Sequence, residues 1–343
     1  MSVDDPLDIR ERPTMRDVAA LAGVGLKTVS RVVNGVPTVS PDLVQRVRRA
    51  ADKLGYRPNL TASNLRRGRT DTIGLLLEDA ANPFSAALHR AVENASRERG
   101  VLVLTGSLDE NPARERELAR ALIDRGVEGL LIVPAGRDES YLITEQRAGV
   151  RVVFIDRAPT LIAADAVVSD NERGAITAVE HLLRIGHRRI GYLGDSQAIL
   201  TAQARFDGYR RALSDAGVPL DGTIVRHELR TIEAAQEAAL AMLDGVGAPT
   251  AIFASQNLVT IGAIRAMASL AQQDSVALVG FDDFVLADTL RPGITTIAQD
   301  PTEMGRLAAK LLFGRLDGDR SDPKTHVVPT RLIARGSGEI RPP

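Results

Sequence analysis

The chain has 343 residues, which is enough for two or three domains by the usual relation of length to domain number. Its 44% hydrophobic and 25% charged residues are typical of a soluble globular protein, and no apolar run approaches the ~20 residues of a membrane-spanning helix. The absence of cysteine excludes disulfides and Cys-ligated metal sites. Because the N-terminus also lacks the basic-then-apolar order of a secretion signal, we expect a cytoplasmic protein.

Charge is unevenly distributed along the chain. The net charge is −1, yet residues 1–70 hold thirteen Lys and Arg against seven Asp and Glu, so a basic segment precedes an acidic remainder. Such an asymmetry is typical of a protein that presents one end to phosphates, although solvated surface cations alone give the same pattern.

After a lead of residues 1–12 that we expect to be disordered, the sequence predicts two short helices. Thr14 and Asp17 form the pattern of a capped helix start, and Gly23 interrupts the apolar stripe before a second helix begins near Gly25. The second helix carries valines on one face and polar residues on the other, namely Lys27, Ser30, Arg31 and Asn34. This pattern is typical of a DNA-reading helix-turn-helix, and a helical hairpin with a solvated outer face is the alternative.

A third helix is predicted to start at Ser40-Pro41-Asp42, with a hydroxyl cap and a proline at the first position, and to end at Gly55. The three helices form an expected headpiece of residues 13–58. Residues 59–70 are rich in arginine. They are either a basic flexible linker or a hinge helix that folds only against DNA.

From residue 71 onward, short apolar runs alternate with helical patterns. The runs cover residues 73–77, 101–104, 129–133, 152–155, 190–193, 250–254 and 276–281, and helical patterns between them include 85–100, 115–126 and 175–186. This alternation predicts an α/β fold with parallel sheets covered by helices. A restart after Gly186 indicates two similar lobes, and small molecules bind beyond the carboxyl ends of such strands or in a cleft between lobes.

Polar side chains at the predicted strand ends are therefore the candidate ligand-binding residues. These are Asn82 with Phe84, Asp156 with Arg157, Gln256 with Asn257, and Asp282 with Asp283. Arg205, which is expected to open a helix in the second lobe, adds a forked hydrogen-bond donor. Capping of a neighbouring helix is the alternative role for each of these polar groups.

Several stretches resemble the lactose/galactose repressor (LacI/GalR) family, in the family's order. DVAALAGVGLKTVSRVVNG, VSPDLVQRV and GYRPNLTASNL resemble its headpiece, whereas IGLLLEDAANPF, IGHRRIGYLGD, RFDGYRRAL and GFDDFVLAD resemble its body. The resemblance implies a helix-turn-helix headpiece followed by an effector-binding and dimerisation domain of residues 71–343. That domain is expected to be a two-lobed body like a periplasmic binding protein. Its N-lobe is expected over about residues 71–168 and 299–327, and its C-lobe over about 169–298 and 328–340.

The resemblance also implies a function. We expect a sequence-specific transcriptional repressor whose affinity for a palindromic operator in double-stranded DNA is controlled by a small-molecule effector, such as a sugar or a sugar derivative. No other cofactor, metal or membrane is implied, and release from DNA on effector binding is the commoner behaviour in the family. A palindromic operator requires a symmetric reader, so we expect a homodimer.

The residues that carry this function are assigned by matching positions. By resemblance, Leu26, Lys27 and Arg31 read bases, and Leu65 wedges into the minor groove. The full set of expected DNA contacts is Leu26, Lys27, Thr28, Ser30, Arg31, Asn34, Tyr56, Asn59, Leu65 and Arg66. Arg205, Gln256, Asn257 and Asp282 line the effector cleft by resemblance, and the strand ends add Asn82, Phe84 and Asp156.

The sequence departs from the family pattern at the expected cleft. Gln256-Asn257 replaces a frequent Asn-Asp, Gln203 stands where arginine is frequent, and no aromatic residue near Leu229 is available for stacking. The chemical identity of the effector therefore stays open.

Two other classes of protein fit less well. A transport solute-binding protein would carry a secretion signal and no basic headpiece. An enzyme would need a catalytic constellation, but Gly23-Val24-Gly25 follows no strand and the five histidines form no metal-binding pair at i, i+4.

Overall fold

The computed structural model describes residues 13–34, 36–57 and 70–343. The chain divides into two compact units, residues 1–70 and 71–343. The lead of residues 1–12 and, apart from Thr70, the expected hinge of residues 59–70 lie outside the described residues.

The headpiece contains three helices, α1 (Met15–Ala22), α2 (Leu26–Val33) and α3 (Pro41–Leu54). The predicted capping of α1 is confirmed, because the Thr14 hydroxyl accepts from the backbone N–H of Asp17 and the Asp17 carboxylate accepts from that of Thr14. The predicted hydroxyl cap of α3 is wrong. The Ser40 side chain makes no capping hydrogen bond, and Pro41 at the first helical position already leaves one fewer amide to satisfy.

A small core holds the three headpiece helices together. Val18 of α1, Val29 of α2 and Val47 of α3 are buried against one another. Arg46 of α3 donates from Nη2 to the carbonyl oxygens of Ala22 (2.7 Å) and Gly23 (3.3 Å). These carbonyls end α1 and lack helical partners, so Arg46 fixes the turn that leads into α2.

The body alternates strands and helices, which confirms the predicted α/β class. Its elements are β1 (Thr72–Leu77), α4 (Pro83–Glu98), β2 (Leu102–Ser107), α5 (Pro112–Asp124), β3 (Gly129–Ile132), α6 (Ile143–Arg147), β4 (Arg151–Ile155), β5 (Asp165–Ser169), α7 (Asn171–Ile185), β6 (Ile190–Leu193), α8 (Leu200–Asp215), β7 (Val225–Arg226), α9 (Ile232–Leu243), β8 (Ala251–Ala254), α10 (Asn257–Ser269), β9 (Ala277–Phe281), β10 (Thr295–Ala298), α11 (Pro301–Leu316), β11 (Thr325–Val328) and β12 (Arg331–Ile333).

The strands form two six-stranded sheets. The first has the order β11-β5-β4-β3-β1-β2 and is parallel throughout. The second has the order β12-β10-β9-β8-β6-β7 and is parallel except for β12, which runs antiparallel to β10. We call the first sheet with its helices the N-lobe and the second the C-lobe.

Both faces of each sheet are covered, which explains why the central strands are apolar runs. In β1, Ile73, Leu75 and Leu77 pack beneath α4 and α11, whereas Leu76 joins a separate cluster on the opposite face. The C-lobe likewise has one buried cluster on each face of its sheet.

The chain crosses between the lobes three times. The crossings follow β5, β10 and β11, because α7 packs on the C-lobe sheet, α11 packs on the N-lobe sheet, and β12 pairs with β10. The carboxyl ends of the parallel strands of each sheet open toward the other lobe.

A glycine sets the spacing of the helix pair α9 and α10. A Cβ atom at Gly262 would lie 2.5 Å from the Cβ of Ala235 and 2.6 Å from the carbonyl oxygen of Ile232. We expect Gly262→Ala to lower the free energy of unfolding by about 1–3 kcal/mol, because backbone atoms of α9 must move. Gly314→Ala in α11 is the control, since its Cβ would meet nothing within 4 Å, and it should raise stability by about 0.5–1 kcal/mol. Urea unfolding of both variants tests the pair, and equal effects would contradict it.

Candidate functional site

A small cavity of about 40 Å³ lies between the lobes. The lining residues come from strand ends of both sheets and from α4 and α8. They are Glu78, Asn82, Phe84, Asp156, Arg157, Asp195, Ile199, Thr201, Ala202, Arg205, Ser255, Gln256, Asp282 and Gln299. Six of the seven residues predicted to bind the effector therefore line one cavity. We call it the cleft cavity.

Asp156 and Asp282 occupy equivalent positions in the two lobes. Each directly follows a buried strand, each has a left-handed backbone (φ 67° and 68°), and each donates its N–H to the neighbouring strand, at Val167 O and Ile297 O, both 2.8 Å away. A positive φ is costly for a residue with a side chain and is retained mainly at functional positions. The turn aims a carboxylate from each lobe into the cleft cavity.

Arg205 is the cation of the C-lobe wall. It lies in the second turn of α8, so the prediction that it opens this helix is wrong; the helix begins at Leu200. Its guanidinium donates to Asn171 Oδ1 (2.7 Å) and Ser255 O (2.8 Å), and Nη1 lies 3.7 Å from Asp282 Oδ2. The guanidinium also stacks 3.9 Å above the Phe281 ring. Buried and held on all these sides, Arg205 has one fixed position.

Two glutamines each bind a carboxylate of the wall. Gln299 donates Nε2 to Asp282 Oδ1 (2.6 Å) and Gln256 donates Nε2 to Asp195 Oδ2 (3.1 Å). Asp195 also accepts from the backbone N–H of Ser196 (2.6 Å). Burial raises the pKa of Asp195, although this hydrogen bond acts in the opposite direction.

Arg157 is the cation of the N-lobe wall, and most of its donors are already engaged. It forms a buried two-pronged ion pair with Glu110, one bond of which is 2.8 Å long, and donates to Pro134 O (2.7 Å). Its Nε lies 3.6 Å from Asp156 Oδ2. Burial raises the pKa of Asp156, and the nearby Arg157 and Arg205 counter this only in part.

Glu78 is a wall residue that the sequence analysis missed. Glu78 directly follows β1, and Asp195 follows β6 after one glycine. Both could have been predicted as polar residues at the ends of strands. Burial, followed by repulsion from Glu110, raises the pKa of Glu78 to about 8. A carboxyl with this pKa carries a proton for most of the time at neutral pH.

Asn257 does not belong to the cavity wall. Its Nδ2 donates to Asn82 Oδ1 of the opposite lobe (2.9 Å), and its Oδ1 accepts from the N–H of Leu258 on its own helix (2.7 Å). Both ends of its side-chain amide are therefore already hydrogen-bonded. Asn82 also caps α4 through Phe84 N (3.0 Å). Asn257 therefore joins the two lobes in this structure, and its role as an effector ligand stays a prediction.

A second bond between the lobes involves one of the departures from the family pattern. Arg137 of the N-lobe donates to Gln203 Oε1 of α8 (2.8 Å). Together with the Asn82–Asn257 bond, it links the two lobes beside the cleft cavity. Phe84 is the one aromatic side chain among the lining residues, and Leu229 is buried in the C-lobe core.

The outer face of α2 is the candidate DNA-reading surface. Leu26, Lys27, Arg31 and Asn34 are exposed, whereas Thr28 and Ser30 are half-buried. Ser30 accepts a hydrogen bond from Asn34 Nδ2 (3.3 Å). The Tyr56 ring packs against the headpiece core. The remaining expected DNA contacts, Asn59, Leu65 and Arg66, lie outside the described residues.

No helix in ranges 13–34, 36–57 and 70–343 is long and apolar enough to cross a membrane. The same ranges contain no group of three or more His, Asp and Glu side chains arranged to hold a metal ion.

The fold and its cleft define a class of protein, a helix-turn-helix unit joined to a two-lobed ligand-binding body. The model of the lacI family of bacterial regulatory proteins matches residues 14–59, and that of the periplasmic binding protein-like domain matches residues 179–338. The regulator CelR of Thermobifida fusca is 35% identical over 97% of this chain and 100% of its own length. DegA of Bacillus subtilis is 31% identical over 95% and 98%.

Solved structures agree with these relatives. A complex of the transcriptional regulator CelR with cellobiose is 34% identical, with a TM-score of 0.70 over 95% of this chain and 100% of that chain. The Lac repressor bound to ONPG in its repressed state is 25% identical, with a TM-score of 0.84 over 95% and 100%. The chain belongs to the lacI family of helix-turn-helix transcriptional regulators. Its relatives are regulators, and it is not an enzyme.

Proposed function

We propose that this regulator is a cytoplasmic repressor that binds a palindromic operator as a homodimer and is controlled by a small, hydroxyl-rich effector in the cleft cavity. Sugars are the leading class, since the relative CelR has been solved with cellobiose. The cytoplasmic location follows from the proposed binding to chromosomal DNA. The homodimer follows from the palindrome, which is read most simply by two symmetry-related headpieces.

The observation that carries the proposal is the meeting of predicted residues from both lobes in one cavity. Asp156, Arg205 and Asp282 come from three different segments of the chain, and all three line it. A ligand that touches both lobes favours their closed arrangement. Such coupling between an effector site and DNA typically amounts to ~1–3 kcal/mol.

For DNA, the proposed reading surface is the exposed face of α2. Lys27 and Arg31 suit the O6 and N7 acceptors of guanine in the major groove, and Leu26 suits a thymine methyl group. Leu65 is proposed as the minor-groove wedge, and Asn59 and Arg66 as flanking contacts to the operator.

Selection of bound duplexes from a random DNA pool tests the proposal directly. The full chain should recover a palindrome, and a chain lacking residues 1–70 should recover nothing specific. Addition of the effector should then release the full chain from the selected duplex. Recovery of no specific sequence, with or without cell extract, would contradict the proposal.

Arg31 offers a sharper test of base reading. Arg31→Ala should relax discrimination at one base pair of each half-site by about 1–3 kcal/mol, because a forked contact to guanine is lost. Arg49→Ala is the matched control, since Arg49 is an equally exposed arginine on α3. Affinities for the selected duplex and for its single-base variants provide the measurement. An unchanged preference at every position in Arg31→Ala would refute the assignment.

A further inference from the structure

The cleft cavity contains more carboxylates than its arginines neutralise. Arg205 is engaged by Asp282, and Arg157 by Glu110 behind the wall. Glu78 and Asp156 on the N-lobe side are left without a cation of their own: within the described residues Glu78 has no ion pair, and Asp156 lies 3.6 Å from a guanidinium that Glu110 already holds.

On the C-lobe side, Asp195 adds to this excess. Its nearest cation is Arg230 at 3.6 Å, whose side chain is half-exposed to solvent and which does not line the cavity. A salt bridge to an exposed arginine is screened by water and neutralises its partner weakly. The wall therefore has four carboxyl groups, those of Glu78, Asp156, Asp195 and Asp282, against two arginines, and one of these arginines is already paired with Glu110.

Unused hydrogen-bonding atoms point to the same chemistry. Of the described residues that line the cavity, four have a buried side-chain atom without a hydrogen-bond partner, and three of these atoms are acceptors: Asp156 Oδ1, Gln256 Oε1 and Gln299 Oε1. Both glutamine amides have a fixed orientation, since Nε2 must face a carboxylate. Buried polar atoms without partners are rare and typically await a ligand or water.

A ligand for this wall must supply donors and positive charge. A sugar hydroxyl donates one hydrogen bond but also needs donors from the protein, whereas an ammonium group has three donors and no acceptor. We propose that the effector carries a protonated amine, which binds against Glu78 and Asp156. The inference rests on the proposed function of the cleft and narrows the class of its ligand.

Glu78 would then lose a proton when the amine binds. Glu110, Asp156 and Asp195 face Glu78 and raise its pKa, whereas Arg157 lowers it, and burial has the largest effect. At neutral pH the empty cleft therefore holds a protonated Glu78. An arriving cation favours the ionised carboxylate, and the proton passes to the buffer.

Calorimetry on the full-length protein tests the inference with matched probes. Glucosamine, galactosamine and mannosamine are each compared with the parent hexose, which keeps the size but lacks the amine, and with the N-acetyl derivative, which keeps the nitrogen but loses the charge. Cellobiose is the neutral reference and putrescine is an amine without hydroxyls. At least one amine should bind about tenfold or more tightly than its neutral counterparts, with proton release seen as a buffer-dependent enthalpy.

Glu78→Gln should remove most of this preference for the amine and also the proton release. Asp79→Asn is the matched control, because it removes the neighbouring charge from a residue outside the cavity wall, and it should keep both. Tight binding of putrescine alone would support an aliphatic amine, and tight binding of a hexosamine would support an amino sugar.

The inference is overturned if no amine binds more tightly than its neutral counterparts, or if Glu78→Gln retains the preference. Failure of the proposed function gives a different result. If cellobiose or a hexose releases the selected duplex and no amine does, the proposed repressor function is supported and the proposed amine effector is refuted. If no duplex is selected, the proposed repressor function is refuted, and calorimetry still tests whether the cleft cavity prefers an amine.

Discussion

Replacing Arg205 with alanine is expected to abolish the response to effector and to lower the free energy of unfolding of the body by about 3–5 kcal/mol. The physical reason is that removal of one partner of a buried pair leaves the other charge uncompensated. Asp282, Asn171 and Ser255 would each lose their hydrogen bond or ion pair to the guanidinium, and the space above Phe281 would be vacated. Urea unfolding and effector-induced release from the selected duplex are the measurements.

Arg211→Ala is the control for this prediction. Arg211 lies on the same helix, and its ion pairs to Glu172 and Asp215 are exposed, so its loss should change stability by less than about 1 kcal/mol. Arg205→Lys keeps the charge but loses the planar fork of the guanidinium. Its loss of stability should therefore lie between those of Arg205→Ala and Arg211→Ala. An Arg205→Ala protein that unfolds like Arg211→Ala and still responds to effector would show that Arg205 is neither a support nor a ligand contact.

Glu78→Gln is expected to change how stability depends on pH. The folded pKa of Glu78, about 8, lies above its ordinary value of 4.5. Glu78 therefore contributes stability that is fully present below about pH 4.5 and is lost as the pH rises through 8. The glutamine variant has no proton to lose. The difference in the free energy of unfolding between this variant and the wild type should therefore shift in favour of the variant by about 1–3 kcal/mol between pH 5.5 and pH 8.5. This range is already reduced because the carboxyl is partly exposed to solvent.

The free energy of unfolding at the two pH values, measured for both proteins, checks this expectation. Asp79→Asn should run parallel to the wild type across the range, since Asp79 does not line the cavity. If the free energies of unfolding of the wild type and of Glu78→Gln also changed in parallel with pH, water would reach Glu78 freely. The test needs no ligand and is therefore independent of the amine experiment.

The sequence predicted the central strands of both sheets because these strands are buried on both faces and are therefore continuous apolar runs. Ile190–Leu193 was predicted with the bounds that the structure shows. Five other strands were missed: β5, β7, β10, β11 and β12. β7 and β12 have only two and three residues, and β5, β10 and β11 begin with polar residues; β10, for example, begins with two threonines that are fully buried in the sheet.

The site was predictable to the extent that its residues follow predicted strands. Asp156 and Asp282 were found in this way, and Glu78 and Asp195 were overlooked although the same argument applied to them. Gln299 follows β10, and no pattern marked that strand. The contact between Asn257 and Asn82 joins residues 175 positions apart, and no local signal in a single sequence reveals such a pairing.

The three crossings between the lobes have a consequence for how the protein is made. Strand β11 completes the N-lobe sheet and β12 completes the C-lobe sheet, and both lie within the last 19 residues of the 343-residue chain. During synthesis neither lobe has all of its strands until these two strands have been translated, whereas the headpiece is translated early. A ribosome that stops short of β11 would therefore release a chain with a finished headpiece and two unfinished lobes. Such a product would expose apolar surface and be removed by proteases, so that few headpieces without a working effector cleft would accumulate in the cell.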